Sequence, residues 1–136
     1  MYHRLIRTFI AIPVPESVFK LQSNLKNTIS EKTGKVRWVK RDQLHITLKF
    51  VGDTPEESID DVRSAIKIIA DNTKPFEIFI QGTGCFPKIE RPRVMWIGLN
   101  GALGQLNQLV KNIHNSLDPI GFPKDEKEFN PHITMA

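Results

Sequence analysis

The triplet His45-Ile46-Thr47 returns as His132-Ile133-Thr134. The strand-like run Phe9-Ile10-Ala11 returns as Trp96-Ile97-Gly98 at the same offset, since 132 − 45 and 96 − 9 both equal 87. Two features that repeat at one spacing point to internal duplication of a single supersecondary unit and not to a long repeat array. Each half then contributes one imidazole. A reaction that needs both a proton acceptor and a proton donor requires such a pair.

The elements follow from periodicity. Arg4 to Ile12 alternates, with Leu5, Arg7, Phe9 and Ala11 on one face and Ile6, Thr8, Ile10 and Ile12 on the other, which predicts a strand ended by Pro13 and Pro15. Val18, Leu21, Leu25 and Ile29 step by three and four, predicting a helix from Glu16 to about Lys32 that Gly34 closes. Val36 to Val39 and Leu44 to Val51 read as two strands. In the second, His45, Thr47 and Lys49 point one way while Leu44, Ile46, Leu48 and Phe50 enter the core. Thr54-Pro55-Glu56-Glu57 has the form of a capping box and predicts a helix start, continued by the stripe Ile59, Val62, Ile66 and Ile69 to a stop at Asn72 to Pro75. Phe76 to Gln81 and Val94 to Leu99 read as strands separated by a Gly-, Pro- and charge-rich loop from Gly82 to Arg93. Leu103, Leu106, Val110, Ile113 and Leu117 mark a third helix, and after a loop from Asp118 to Glu128 a short final strand begins at His132.

The expected fold is therefore α+β and bilobal, with two pseudo-symmetric lobes of antiparallel sheet, helices outside and a central cleft between the two His-Thr faces. The whole chain, 1–136, reads as one domain of two pseudo-repeats, about 1–73 and 74–136. A single cysteine, Cys85, excludes an intrachain disulfide and leaves no thiolate set for structural zinc, which suits a cytoplasmic setting. No apolar run approaches the ~20 residues of a membrane helix, so no membrane association is expected. A net charge of +4 favours anionic partners without naming them.

A one-residue spacer places imidazole and hydroxyl side by side on one strand face, where both can meet one phosphate. Imidazole titrates near pH 6.5, so one histidine can take a proton from a nucleophile while the other delivers one to the departing oxygen. The hydroxyls of Thr47 and Thr134 can donate to non-bridging phosphoryl oxygens as charge develops. Phosphodiester cleavage can run on these parts without a metal. Threonine is also simply favoured in strands. His114, within the third helix, and His3 have no matching threonine and read as structural or surface residues. Phe9 and Trp96 occupy equivalent places; Trp96 suits core packing, while an aromatic beside the cleft can stack on a nucleobase. Arg7, Lys49, Lys88, Arg91 and Arg93 are candidate phosphate contacts, each equally explained as solvated charge.

The blocks Arg7-Thr8-Phe9-Ile10-Ala11, Trp38-Val39, Leu44 to Gly52, Pro92 to Gly98 and Phe129 to Thr134 together resemble the two-histidine (2H) phosphoesterases, and more narrowly the RNA 2',3'-cyclic phosphodiesterases, long called 2'-5' RNA ligases. The resemblance implies a bilobal α+β fold. It also implies hydrolysis of a terminal 2',3'-cyclic phosphate to a 2'-phosphate with no metal or nucleotide cofactor. By that similarity the motifs are His45-Ile46-Thr47-Leu48 and His132-Ile133-Thr134-Met135. His45 would be the proton donor to the leaving 3'-oxygen and His132 the base that activates water, with Thr47, Thr134 and Phe9 binding substrate. The residues themselves leave the donor and acceptor assignment open, because the two half-sites are nearly equivalent. The implied partner is RNA with a cyclic phosphate end, tRNA fragments among the candidates, acted on by a monomer. Relatives of this kind continue past the second motif with a basic residue and a further stretch, whereas this sequence stops at Ala136, so the C-terminal part reads as truncated. The rival reading from another class is a non-catalytic module that binds RNA ends.

Overall fold

The computed structural model describes residues 4–28, 36–87, 92–125 and 128–136. The chain is α+β. In order it forms β1 (Leu5–Pro13), α1 (Glu16–Thr28), β2 (His45–Pro55), α2 (Ile59–Asp71), β3 (Ile78–Pro87), β4 (Pro92–Gly101), α3 (Leu103–Leu117) and β5 (His132–Thr134). β1 and β2 pair in one sheet, and a second sheet has the order β3-β4-β5. Ile29 and Gly34, expected to end the first helix, and His3 lie outside the described residues. Among the described residues no helix is long and apolar enough to cross a membrane.

The chain gathers into two compact units. One comprises Met1–Ala11, Thr47–Ile78 and Gly101–Asn130, and the other Ile12–Ile46, Phe79–Asn100 and Pro131–Ala136. In the first, α2 packs on α3. The apolar positions of α3 recur at helical spacing, so Leu106, Val110, Ile113 and Leu117 all face inward and are buried. Val62 of α2 and Phe122 after α3 extend this core. In the second unit the buried hydrophobic residues among those described are Val18 of α1, Leu44 and Ile46, Ile97 of β4, and Ile133 and Met135.

Val36 to Val39, expected as a strand, forms none. Three further expectations are corrected. The capping box does not form: β2 runs on through Pro55, Glu56–Ser58 make one turn of 3-10 helix, and α2 starts at Ile59. Thr54 is fully buried and its hydroxyl donates to the Gly52 carbonyl at 3.0 Å, while the Glu56 N–H donates to the Arg4 carbonyl at 2.9 Å. The strand thus captures the groups that a cap needs. Second, the glycine-rich stretch after Gln81 is not all loop, because β3 continues through Gly82 and Gly84. Gly84 is needed there since a Cβ would run into the Trp96 indole. Composition signalled a turn where the physical demand was close approach to a ring.

The third correction concerns the middle of β2. Lys49 is 2% exposed and Phe50 49% exposed, the reverse of the expected burial. The Lys49 ammonium donates to the Pro123 carbonyl at 2.8 Å and pairs with Asp125 at 3.3 Å. The other Asp125 oxygen meets His114 Nε2 at 3.0 Å, and His114 Nδ1 lies 2.8 Å from the Val110 carbonyl. The connection after α3 therefore covers the lysine and supplies the partners that a buried charge requires. Phe50 is left at the surface, with the Arg7 guanidinium 5.3 Å from its ring centre. Partial burial raises the Asp125 carboxyl, but the His114 hydrogen bond and the Lys49 charge outweigh it and hold the group below 3.8.

This packing sets measurable expectations. Leu106→Ala, at a fully buried site, is expected to lose about 2–5 kcal/mol in urea unfolding. Ile68→Ala, where the side chain is 64% exposed, should change stability by no more than about 0.5 kcal/mol; equal losses would show that α3 does not bury its stripe. Because the Asp125 carboxyl is depressed in the fold, its stabilisation is complete above the ordinary value of 3.8 and is lost as pH falls through the lower folded value. The urea-midpoint gap between the parent and Asp125→Asn should accordingly hold steady at neutral pH and close in acid. A gap that widened in acid would contradict the salt link.

Candidate active site

The second histidine-threonine motif is built on a three-residue strand. β5 pairs antiparallel with β4 in the register Trp96↔Thr134, Ile97↔Ile133 and Gly98↔His132. Directly opposed residues share a face, so Trp96, Gly98, His132 and Thr134 lie on one side and Ile97 and Ile133 on the other. Both isoleucines are fully buried, while His132 and Thr134 are exposed. Burial of Ile133 and Met135, each 0% exposed, thus fixes which way the imidazole and hydroxyl point. The two side chains stand roughly 7 Å apart along the strand. Gly98 places no side chain beside His132, and a Cβ there would meet the Gln81 carbonyl of β3.

So short a strand needs further restraint, and its C-terminal end has it. The Met135 N–H donates to the Met95 carbonyl at 2.8 Å, the Met95 N–H to the Ala136 carbonyl at 3.0 Å, and the Val39 N–H to the Met135 carbonyl at 2.7 Å. Gln22, 4% exposed on α1, donates its amide to both the Val39 carbonyl at 2.9 Å and the Met135 carbonyl at 3.2 Å. Sequence reading passed over Gln22 because it is polar. Its spacing was the available signal, since it stands four residues after Val18 and three before Leu25 on the buried stripe.

The first motif repeats the pattern on β2. Ile46 and Leu48 are buried at 6% and 5% exposure, His45 is half-buried and Thr47 is exposed. His45, His132 and Thr134 belong to the same compact unit, and Thr47 is the first residue of the segment assigned to the other. Phe9 is 46% exposed on β1, in keeping with a ring presented outward. Trp96 is half-buried and packs over Gly84, the packing role expected for it. Of the candidate phosphate contacts, Lys49 is ruled out by its burial and its Pro123 and Asp125 partners. Arg7 is exposed against Phe50. Lys88 and Arg91 lie outside the described residues, as does the Arg93 side chain. His114 has both ring nitrogens engaged and is structural, as expected.

Residues 12–96 match the family model described as LigT-like phosphoesterase, a span that includes the first motif. A protein of Aquifex aeolicus named RNA 2',3'-cyclic phosphodiesterase is 32% identical over 135 residues, which is 98% of this chain and 71% of that protein. One of Archaeoglobus fulgidus with the same name is 32% identical over 131 residues, covering 96% of this chain and 72% of that one. Among solved structures, a Thermus thermophilus protein superposes with a TM-score of 0.72 at 27% identity, covering 96% of this chain and 73% of its own. Apo LigT of E. coli gives 0.73 at 25% identity, with 97% and 72% covered. With more than half of its length inside the family model, and an α+β fold shared with these structures, the chain belongs to the LigT-like phosphoesterase family.

Proposed function

We propose that this chain hydrolyses RNA 2',3'-cyclic phosphate ends to 2'-phosphates, by general acid-base catalysis between His45 and His132 and without a metal. The observation that carries the reading is the matched motif pair: each presents an imidazole and a hydroxyl outward over buried apolar residues, in a family whose curated relatives bear the name of this activity. His132 takes a proton from water as the water oxygen bonds to phosphorus. The phosphorus–O3' bond breaks, and His45 gives its proton to the departing 3'-oxygen. Thr47 and Thr134 donate hydrogen bonds to the non-bridging oxygens, which gain charge in the five-coordinate transition state.

With a 5'-hydroxyl in place of water the same groups keep their roles: His132 takes the 5'-hydroxyl proton, the phosphorus–O3' bond breaks as His45 protonates the 3'-oxygen, and a 2'-5' linkage forms. The partner in this reading is an RNA end, tRNA fragments included, met by a monomer in the cytoplasm. Phe9, exposed on β1, offers its ring to the terminal base.

His45→Ala and His132→Ala should each lower kcat on a cyclic-phosphate-ended oligonucleotide by about 10²–10⁴-fold or more. Thr47→Ala or Thr134→Ala should cost about ten- to a hundredfold, as for loss of one charge-assisted hydrogen bond. Thermal melts of the four variants should match the parent, since none of these side chains is fully buried. A parent that binds the oligonucleotide but never turns it over would leave a non-catalytic RNA-end module. Formation of a 3'-phosphate would overturn the assignment of His45 to the 3'-oxygen.

A further inference from the structure

Four contacts show that the segment before β2 lies antiparallel along α1. Arg41 stacks on Phe19, its guanidinium 4.3 Å from the ring centre, and reaches both carboxylate oxygens of Glu16 at 2.9 and 3.0 Å. Val39 accepts from Gln22, and Lys26 stands 5.7 Å from the Trp38 ring centre. Helix and segment together make a ridge on which Lys20, Lys26, Arg37, Lys40 and Arg41 are all exposed. Against these five cations stand only Glu16 and Asp42 within residues 16–26 and 36–42, so the ridge carries a net +3 of the chain's +4.

Its position is the second observation. The Val39 N–H is bonded to the carbonyl of Met135, the residue after Thr134. The same segment runs through the 3-10 turn Arg41–Gln43 and the buried Leu44 into His45. Ridge, both histidines and Thr134 all belong to one compact unit. An RNA end held at the two motifs therefore has a basic surface beside it, interleaved with aromatic rings, the combination that tracks a single-stranded phosphate backbone.

We propose that this ridge binds the nucleotides on the 5' side of the cyclic phosphate, with Lys20, Arg37 and Lys40 contacting phosphates and Trp38 offering a partly covered stacking surface. The proposal rests on the reading of the chain as an RNA-end phosphodiesterase. An anionic membrane surface fits less well, because none of the large exposed hydrophobic residues among those described falls on the ridge.

The test compares a cyclic-phosphate-ended dinucleotide with a ten-nucleotide oligomer, using the parent, a ridge triple variant (Lys20→Gln, Arg37→Gln, Lys40→Gln) and a control triple of equal charge change (Lys67→Gln, Lys74→Gln, Lys111→Gln). All six positions are exposed. The parent should have the lower KM on the oligomer. The ridge triple should remove that advantage, raising the oligomer-to-dinucleotide KM ratio by about tenfold or more, and should lower the slope of log affinity against log salt by about 2. The control should retain the ratio. Fluorescence anisotropy of a labelled decamer ending in a 2'-phosphate reads the same contacts without turnover.

A parent with no length preference, a control that loses as much as the ridge triple, or an equal loss on both substrates would each overturn the proposal. So would ridge-dependent binding to phosphatidylserine vesicles with unchanged binding to RNA. Failure of the parent to turn over even the dinucleotide strikes at the proposed activity instead, and anisotropy then decides the ridge separately.

Discussion

The carbonyl of Met135 is the point on which the second motif depends. A strand of three residues contributes too few ladder hydrogen bonds to hold its own orientation, and a slip of one residue would turn His132 and Thr134 inward and Ile133 outward. The Val39 amide and the Gln22 side chain converge on that carbonyl, while the Met135 amide is taken by Met95. Two burials, Ile133 and Met135, then make any slip costly, because each would expose an apolar side chain worth roughly 1.5–3 kcal/mol when covered.

The first motif solves the same problem by different means. β2 is an eleven-residue strand, so its direction is set by length and by the buried residues Leu44, Ile46 and Leu48. Two residues beyond Thr47 it is tied down by Lys49, whose ammonium is bonded to Pro123 and to an aspartate that His114 also holds. A buried lysine would be destabilising alone. Here it fastens the connection after α3 to the strand that carries Thr47, and this, not phosphate binding, accounts for a lysine at that place.

Much of this was legible from local pattern. The stripes of α2 and α3 and the outward alternation of His-x-Thr in both motifs follow from periods of 3.6 and 2, which neighbouring residues enforce on one another. The misreadings have a common origin. Thr54 looked like a helix cap, but β2 did not end where the cap required. Gly82 and Gly84 looked like a loop, but one of them made room for an indole contributed by another strand. Lys49 looked like a cation for the substrate, but its partners lie 74 and 76 residues further along the chain.

What the sequence by itself determined is the direction of each side chain: which imidazoles and hydroxyls share a strand face, and which apolar groups stand opposite them. Backbone geometry dictates this within a few residues, so a short motif carries it. What lies over each face was decided only by the tertiary structure. It buried Lys49 and Gln22, exposed Phe50, and laid the basic segment before β2 along α1 beside the end of β5. Cover is made by segments tens of residues away, whose arrival depends on the packing of the whole chain, and no local period encodes it.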